Sequence, residues 1–266
     1  MKNSLVLFSI LALLWSCTEE VSRDINTDLT QEAEQFYRFS EAIGEASYLA
    51  NISQSEYSSI LSQELPGCPS ITHSLDSLII TLDYSSDEVC EQENKIPRTG
   101  KIILDFTLSD SANSLWSLSY EDYTYRGGKI EGQRNFEGVS PEESQEIFEN
   151  LRIELANGIG FTADGELSYV ISSEELKPSS ITSRGKITGM NPAGRDFSIV
   201  TSTAKVQLFQ CYGQGWDLPQ SGEELWMVSR GGTAELEYEV TFQNTETCNP
   251  IVTSSLPDGR TFQLNP

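Results

Sequence analysis

Three stretches of the chain read almost alike: "RTGKI" at Arg98–Ile102, "RGGKI" at Arg126–Ile130 and "SRGKI" at Ser183–Ile187. Glycine followed by lysine closes a phosphate-binding loop, where backbone N–H groups wrap a phosphate and the lysine meets its charge. That loop also needs a glycine five residues earlier and a serine or threonine after the lysine. Lys101, Lys129 and Lys186 are each followed by isoleucine, and no earlier partner glycine is present. The expected role is therefore structural. Glycine makes a turn or bulge at a strand, lysine faces water, and isoleucine starts the buried face.

Other residue types could do chemistry. The 40 acidic residues could supply the two facing carboxylates of a glycan hydrolase. Alternating acids such as Glu235, Glu237 and Glu239 read more simply as the wet face of a strand. His73 is the only histidine. It cannot build a histidine metal site, no nucleophile motif accompanies it, and a loop or edge-strand position is expected. Calcium takes oxygen ligands from loops, so Asp83–Glu88 and Glu121–Tyr123 are its candidates, with a plain acidic loop as the simpler reading. Aromatic residues carry the best ligand signal. "SLWSLSYEDYTYRGG" places Trp116 and Tyr120 on one strand face and Tyr123 and Tyr125 on the other. A row of exposed rings can hold a sugar. Trp216 lies in a long Gly-rich loop, Cys211–Trp226, of the kind that carries binding on a rigid scaffold.

The elements behind these residues are mostly strands. In "TAELEYEVTF", Ala234, Leu236, Tyr238, Val240 and Phe242 point one way and three glutamates point the other. Similar runs are Leu78–Tyr84, Lys101–Leu108, Leu115–Tyr125, Glu146–Ala156, Gly165–Ile171, Ser180–Thr188, Phe197–Thr201, Ala204–Gln210, Leu225–Ser229 and Arg260–Leu264. Turn signals stand at Ala163–Gly165, Asn191–Gly194 and Pro257–Gly259. Strands and helices do not alternate, so the expected fold is all-β: an antiparallel sandwich or extended meander. One N-terminal helix is expected over Gln31–Leu49, with Thr30 as its cap and Phe36, Phe39 and Ile43 on one face. The expected organisation is a signal over 1–16, a tether over 17–28, a helical segment over 29–66 and a β domain over 67–266. A division of the β domain into two subdomains would fall near 175–180.

The first segment reads as an address. One charge, Lys2, precedes the apolar run Leu5–Trp15, which has the length of a signal core and is short for a membrane span. "LLWSC", ending at Cys17, resembles the lipobox of bacterial lipoproteins. The resemblance implies cleavage before Cys17 and lipid on that residue, which anchors a chain to a membrane without spanning it. "TEE" follows, and acidic residues there resemble the surface-export signal of Bacteroidota lipoproteins, which makes Glu19 and Glu20 its candidates. Export agrees with the other four cysteines, Cys68, Cys90, Cys211 and Cys248. Four cysteines allow three pairings. Nearest neighbours, Cys68–Cys90 and Cys211–Cys248, each bracket a strand and loop, and this pairing is expected. Zinc is disfavoured by the single histidine and the absence of C-x-x-C. The formal charge of −23 repels nucleic acid and other polyanions.

The stretches "LIITLDYSSDEVC", "RTGKIILDFT", "GGKIEGQRNF", "SRGKITGMNPAGRDF", "TETCNP" and "PDGRTFQLN" together resemble an uncharacterised group of Bacteroidota outer-membrane lipoproteins, over roughly Leu65–Asn265. "YSSDEVC" and Ala193–Arg195 depart from the group's usual glycine-aspartate and Asn-Gly-Lys patterns. The resemblance implies fold and address but no activity. The function expected is a lipid-anchored, surface-exposed, non-catalytic protein that binds a glycan or another protein. A structural envelope role is the alternative, and a carboxylate hydrolase comes third.

Overall fold

The computed structural model describes residues 28–74, 78–85, 89–109, 114–174 and 177–265. Helix α1 (Leu29–Gly44) is followed by a single turn, α2 (Ser47–Ala50), and a short α3 (Gln54–Tyr57). The cap of α1 is Asp28, not Thr30. Its Oδ1 accepts from the N–H groups of Thr30 and Gln31, a device worth about 1 kcal/mol.

Among the described residues, fourteen strands form one antiparallel sheet whose order follows the chain. They are β1 (Ser70–Ser74), β2 (Ile79–Asp83), β3 (Arg98–Asp105), β4 (Leu115–Tyr125), β5 (Gly128–Glu131), β6 (Gln133–Gly138) and β7 (Glu143–Glu154). Then come β8 (Gly160–Glu174), β9 (Lys177–Met190), β10 (Asp196–Leu208), β11 (Ser221–Ser229), β12 (Glu235–Gln243), β13 (Ile251–Ser255) and β14 (Thr261–Gln263). Strands β5 and β6 together fill the place between β4 and β7. Of the two expected architectures the meander is the one formed. β8 and β9 pair antiparallel from Thr162↔Met190 to Glu174↔Lys177.

The sheet curls around α1. Phe36 and Phe39 meet Phe161 of β8 and Phe197 of β10, with ring centroids 4.7–5.5 Å apart. From Phe39 to Ile52 every residue but Gly44 is buried. A helix enclosed this far cannot be apolar on one stripe alone, and its polar residues need partners. They have them. Glu32 meets Arg230 and Tyr238, Ser40 meets Glu224, Ser47 meets Arg134 and Tyr169, and Asn51 meets Ser144.

The three similar stretches play three structural parts. Gly100 (φ +75°) sits at a bulge between β3 and β4, and Gly127 (φ +76°) makes the β4–β5 turn. At Gly185 in β9 a Cβ would lie 2.2 Å from the Glu166 carbonyl oxygen. Ile102, Ile130 and Ile187 are buried, while Lys129 and Lys186 are exposed and Lys101 half-buried.

Some local expectations are corrected. Ala163–Gly165 is not a turn but lies within β8, where Gly165 leaves room for the Phe148 ring, 2.2 Å from where a Cβ would stand. Phe197–Thr201 and the run from Ala204 to Leu208 belong to a single strand, β10, irregularly paired between Val200 and Lys205, while Phe209 and Gln210 open a short helical turn, Phe209–Tyr212. Ala234 precedes β12 and is exposed. Asn191–Gly194 and Pro257–Gly259 are turns as expected. The disulfides are Cys68–Cys90 and Cys211–Cys248.

Candidate functional site

The expected aromatic row does not form on the surface. β4 carries one extra residue opposite Gly100: Thr99 faces Thr124, but Lys101 already faces Glu121. Asp122 (φ +48°) takes up the bulge. A one-residue slip moves every later side chain to the other face. Tyr123 and Tyr125 therefore turn inward beside Trp116 and Tyr120 instead of outward. Trp116 stacks on Phe136 at 5.5 Å and donates its Nε1–H to the Ala50 carbonyl at 2.7 Å. Tyr120 stacks on Tyr123 at 5.5 Å. The Tyr125 ring is already met by the guanidiniums of Arg98 and Arg126. Trp216 is half-buried, beside a buried Asp217. Of the five, Tyr125 alone lines the groove described next.

That groove, of about 540 Å³, opens beside the first half of α1. Its size falls within the range of small-ligand sites. One wall is the helix stripe Gln31, Gln35, Arg38 and Ala42, spaced by three and four. The floor is apolar: Ile130 and Ile153 are cross-strand partners of β5 and β7, joined by Leu155 and Leu264. The other wall is the β4–β5 turn with Arg126, and Glu34 and Glu154 stand on the rim.

Arg38 and Arg126 share one carboxylate. Glu41, buried on the inner side of α1, lies 2.9 Å from Arg38 and 2.7 Å from Arg126. The two guanidiniums are held in place yet stay about 43% and 34% exposed at the groove. Pre-fixed arginines of this kind recognise anionic oxygens with little loss of freedom.

Behind the groove lies an enclosed polar cluster. Arg98 pairs with Asp217 at 2.5 Å, and the Tyr123 hydroxyl donates to Glu45 Oε2 at 3.0 Å. Burial, above all, raises the Glu45 carboxyl to about 7, although Arg98 opposes the shift. Burial likewise pushes Asp217 up. A carboxyl with such a value is a candidate acid or base, but Glu45 does not line the groove. A second enclosed pair, Arg134 and Glu146, is bidentate at 2.5 and 2.9 Å. Tyr169 donates to the same carboxylate, and Arg134 donates to the Ile43 carbonyl at 3.0 Å. These clusters tie helix to sheet.

The remaining candidates are scattered. His73 is half-buried on edge strand β1, opposite Ile80. Asp83 accepts from the Ser85 N–H, and Glu121 pairs with Lys101 at 3.3 Å. Ser86, Asp87 and Glu88 lie outside the described residues, as do Cys17, Glu19 and Glu20. Among the described residues no three His, Cys, Asp or Glu side chains gather where they could hold a metal ion. Among them, too, no helix is long and apolar enough to cross a membrane. Arg38 and Glu41 are functional candidates that the sequence reading did not single out. The signal was there, since Arg38 continues the polar stripe of Gln31 and Gln35.

The fold and site define a class: an antiparallel meander curled around its own N-terminal helix, with a ligand-sized groove where that helix enters. Against known protein families, curated proteins and solved structures, the chain matches none.

Proposed function

We propose that the protein is a lipid-anchored binding protein of the bacterial outer membrane, displayed at the cell surface, with the groove beside α1 as its ligand site. The observation that carries the binding role is the groove itself. It combines a ligand-sized opening with two half-exposed arginines held by one buried carboxylate, which can meet anionic oxygens of a ligand. The lipobox-like "LLWSC" and the following "TEE" support the address. Asp28, the first described residue, stands ten residues beyond Thr18.

Two measurements test this reading. Protease shaving of intact and lysed cells checks the address, with Glu19→Ala/Glu20→Ala beside wild type. Digestion of wild type alone in intact cells is expected. Protection of both until lysis rejects surface display. A photo-crosslinking residue placed at Gln35 on living cells, and another at the exposed Glu237 of β12, checks the groove. Adducts specific to position 35 are expected. Equal capture at both positions, or none at either, rejects the groove as the ligand site.

A further inference from the structure

The two edges of the sheet are not alike. At one end β14 is three residues long and follows the exposed Arg260. It leads into Asn265, whose side chain donates to the Pro250 carbonyl at 2.6 Å and accepts from the Val252 N–H at 2.8 Å. Short length and charge are usual guards of an edge strand. At the other end β1, Ser-Ile-Thr-His-Ser, has no charge, no proline and no bulge in its pairing with β2. Among the described residues, Ser70, Ile71, Thr72 and His73 make no backbone hydrogen bond beyond that pairing. Half of their N–H and C=O groups therefore point away from the sheet. The core face also runs on past β1. Ile71 and His73 lie on it beside Leu82 and Ile80. Leu82 and Ile80 are 0% and 1% exposed, while Ile71 and His73 are half-buried. Their open flank is the one a further strand would cover. Next to His73 a cavity of about 230 Å³ opens between β1 and α3, with Gln54 and Ser55 on one wall and His73 and Ile79 on the other.

Charge decides what kind of strand fits this place. From Ala46 to Asn94, the run that builds α2, α3, β1 and β2, the chain carries eight acidic residues and no lysine or arginine. One of the eight, Asp83, is the cross-strand neighbour of Ser70. A second copy of the chain would bring the same acidic run and a formal charge of −23 against it, whereas a cationic segment is attracted. We propose that β1 is a docking edge for an extended, basic segment of another protein, which adds to the sheet as one more strand. Main-chain hydrogen bonds to β1 hold the segment, and its alternate side chains divide between two faces. Apolar ones cover Ile71 and enter the cavity beside His73. Lysines or arginines on the other face lie over Thr72 toward Asp83. The edge shares no lining residue with the groove beside α1 and does not depend on that groove being a ligand site.

The probe is a short fluorescent peptide of alternating valine and lysine, tested on the full-length protein by anisotropy and by amide hydrogen exchange. Saturable binding of one peptide per chain is expected, with exchange over Ser70–Ser74 slowed about fivefold or more. A valine–glutamate peptide should bind about tenfold more weakly. So should the valine–lysine peptide with every backbone amide methylated, because it cannot donate to β1. Thr72→Lys puts a charge on an exposed position of the edge and should weaken binding about tenfold with an unchanged urea midpoint. Thr162→Lys, exposed on β8, adds the same charge elsewhere and should leave binding within about twofold. Equal binding of the lysine and glutamate peptides overturns the cationic partner. Equal binding of the methylated peptide overturns strand addition. The docking edge is overturned if no peptide binds saturably, or if exchange over Ser70–Ser74 is unmoved by the one that does. A dimer in sedimentation that itself protects Ser70–Ser74 makes a second copy the occupant and overturns the proposal as well.

Discussion

Gly100 stands directly against Asp122: a Cβ on Gly100 would lie 2.2 Å from the Asp122 carbonyl oxygen. This contact makes the bulge that turns Tyr123 and Tyr125 into the core. Gly100→Ala adds both a backbone clash and the strain of a side chain at φ +75°, about 1–3 kcal/mol. The expected outcome is a lower urea midpoint and a weakened near-UV signal from the inner tyrosines. An unchanged midpoint would show that the bulge does not need glycine.

The buried Glu45 carboxyl makes stability depend on pH. Its value rises from 4.5 to about 7 on folding, so the folded state holds a proton that the unfolded chain has released. Its contribution is fully present below 4.5 and is lost as pH rises toward 7. Each pH unit within that window costs about 1.4 kcal/mol. Glu45→Gln keeps an acceptor for Tyr123 and removes the titration. Relative to wild type, the variant should gain stability between pH 5 and 8, by about 2–3 kcal/mol. Parallel stability curves for the two proteins would contradict the shift.

Arg134 and Glu146 are wholly enclosed, so removing one strands the other. Arg134→Ala is expected to cost about 3–5 kcal/mol. The double variant Arg134→Ala/Glu146→Ala should cost less than the two single losses added together, because no buried charge is left unpaired. Denaturant midpoints of the four proteins read the coupling directly. Simple additivity would mean that the pair does not act as a unit.

The two disulfides close spans of 22 and 37 residues, each worth about 3–4 kcal/mol in the chain-entropy view. Non-reducing peptide mapping should recover Cys68 with Cys90 and Cys211 with Cys248, and Cys17 with neither. Cys211→Ser/Cys248→Ser should lower the melting temperature. A crossed pairing in the map would contradict this arrangement.

Much of the fold was legible because alternation is a local signal. Leu236, Tyr238, Val240 and Phe242 show their inward face in nine residues of sequence, and β4 was read with its observed ends. The helix was legible from Phe36, Phe39 and Ile43. What stayed hidden depends on partners far along the chain. The parity change at Asp122 is written in β3, at Gly100, and not in β4 itself. Gly165 looked like a turn because its reason for being glycine, the Phe148 ring, lies on the neighbouring strand. Half of the groove was legible in the polar stripe of α1. The other half needed the sheet to bring Ile130, Ile153 and Leu264 beside that stripe.

The helix at the centre of the sheet is also the first element of the fold to be made. Its partners come late: Glu32 binds Tyr238, 206 residues on, and Ser40 binds Glu224, 184 residues on. Contacts of such separation slow folding, because long loops must close before any of them forms. Until β11 and β12 arrive, Glu32 and Ser40 of α1 lack the partners that receive them. A chain that emerges N-terminus first therefore leaves these groups of α1 unpaired until β11 and β12, from Ser221 onward, have been made.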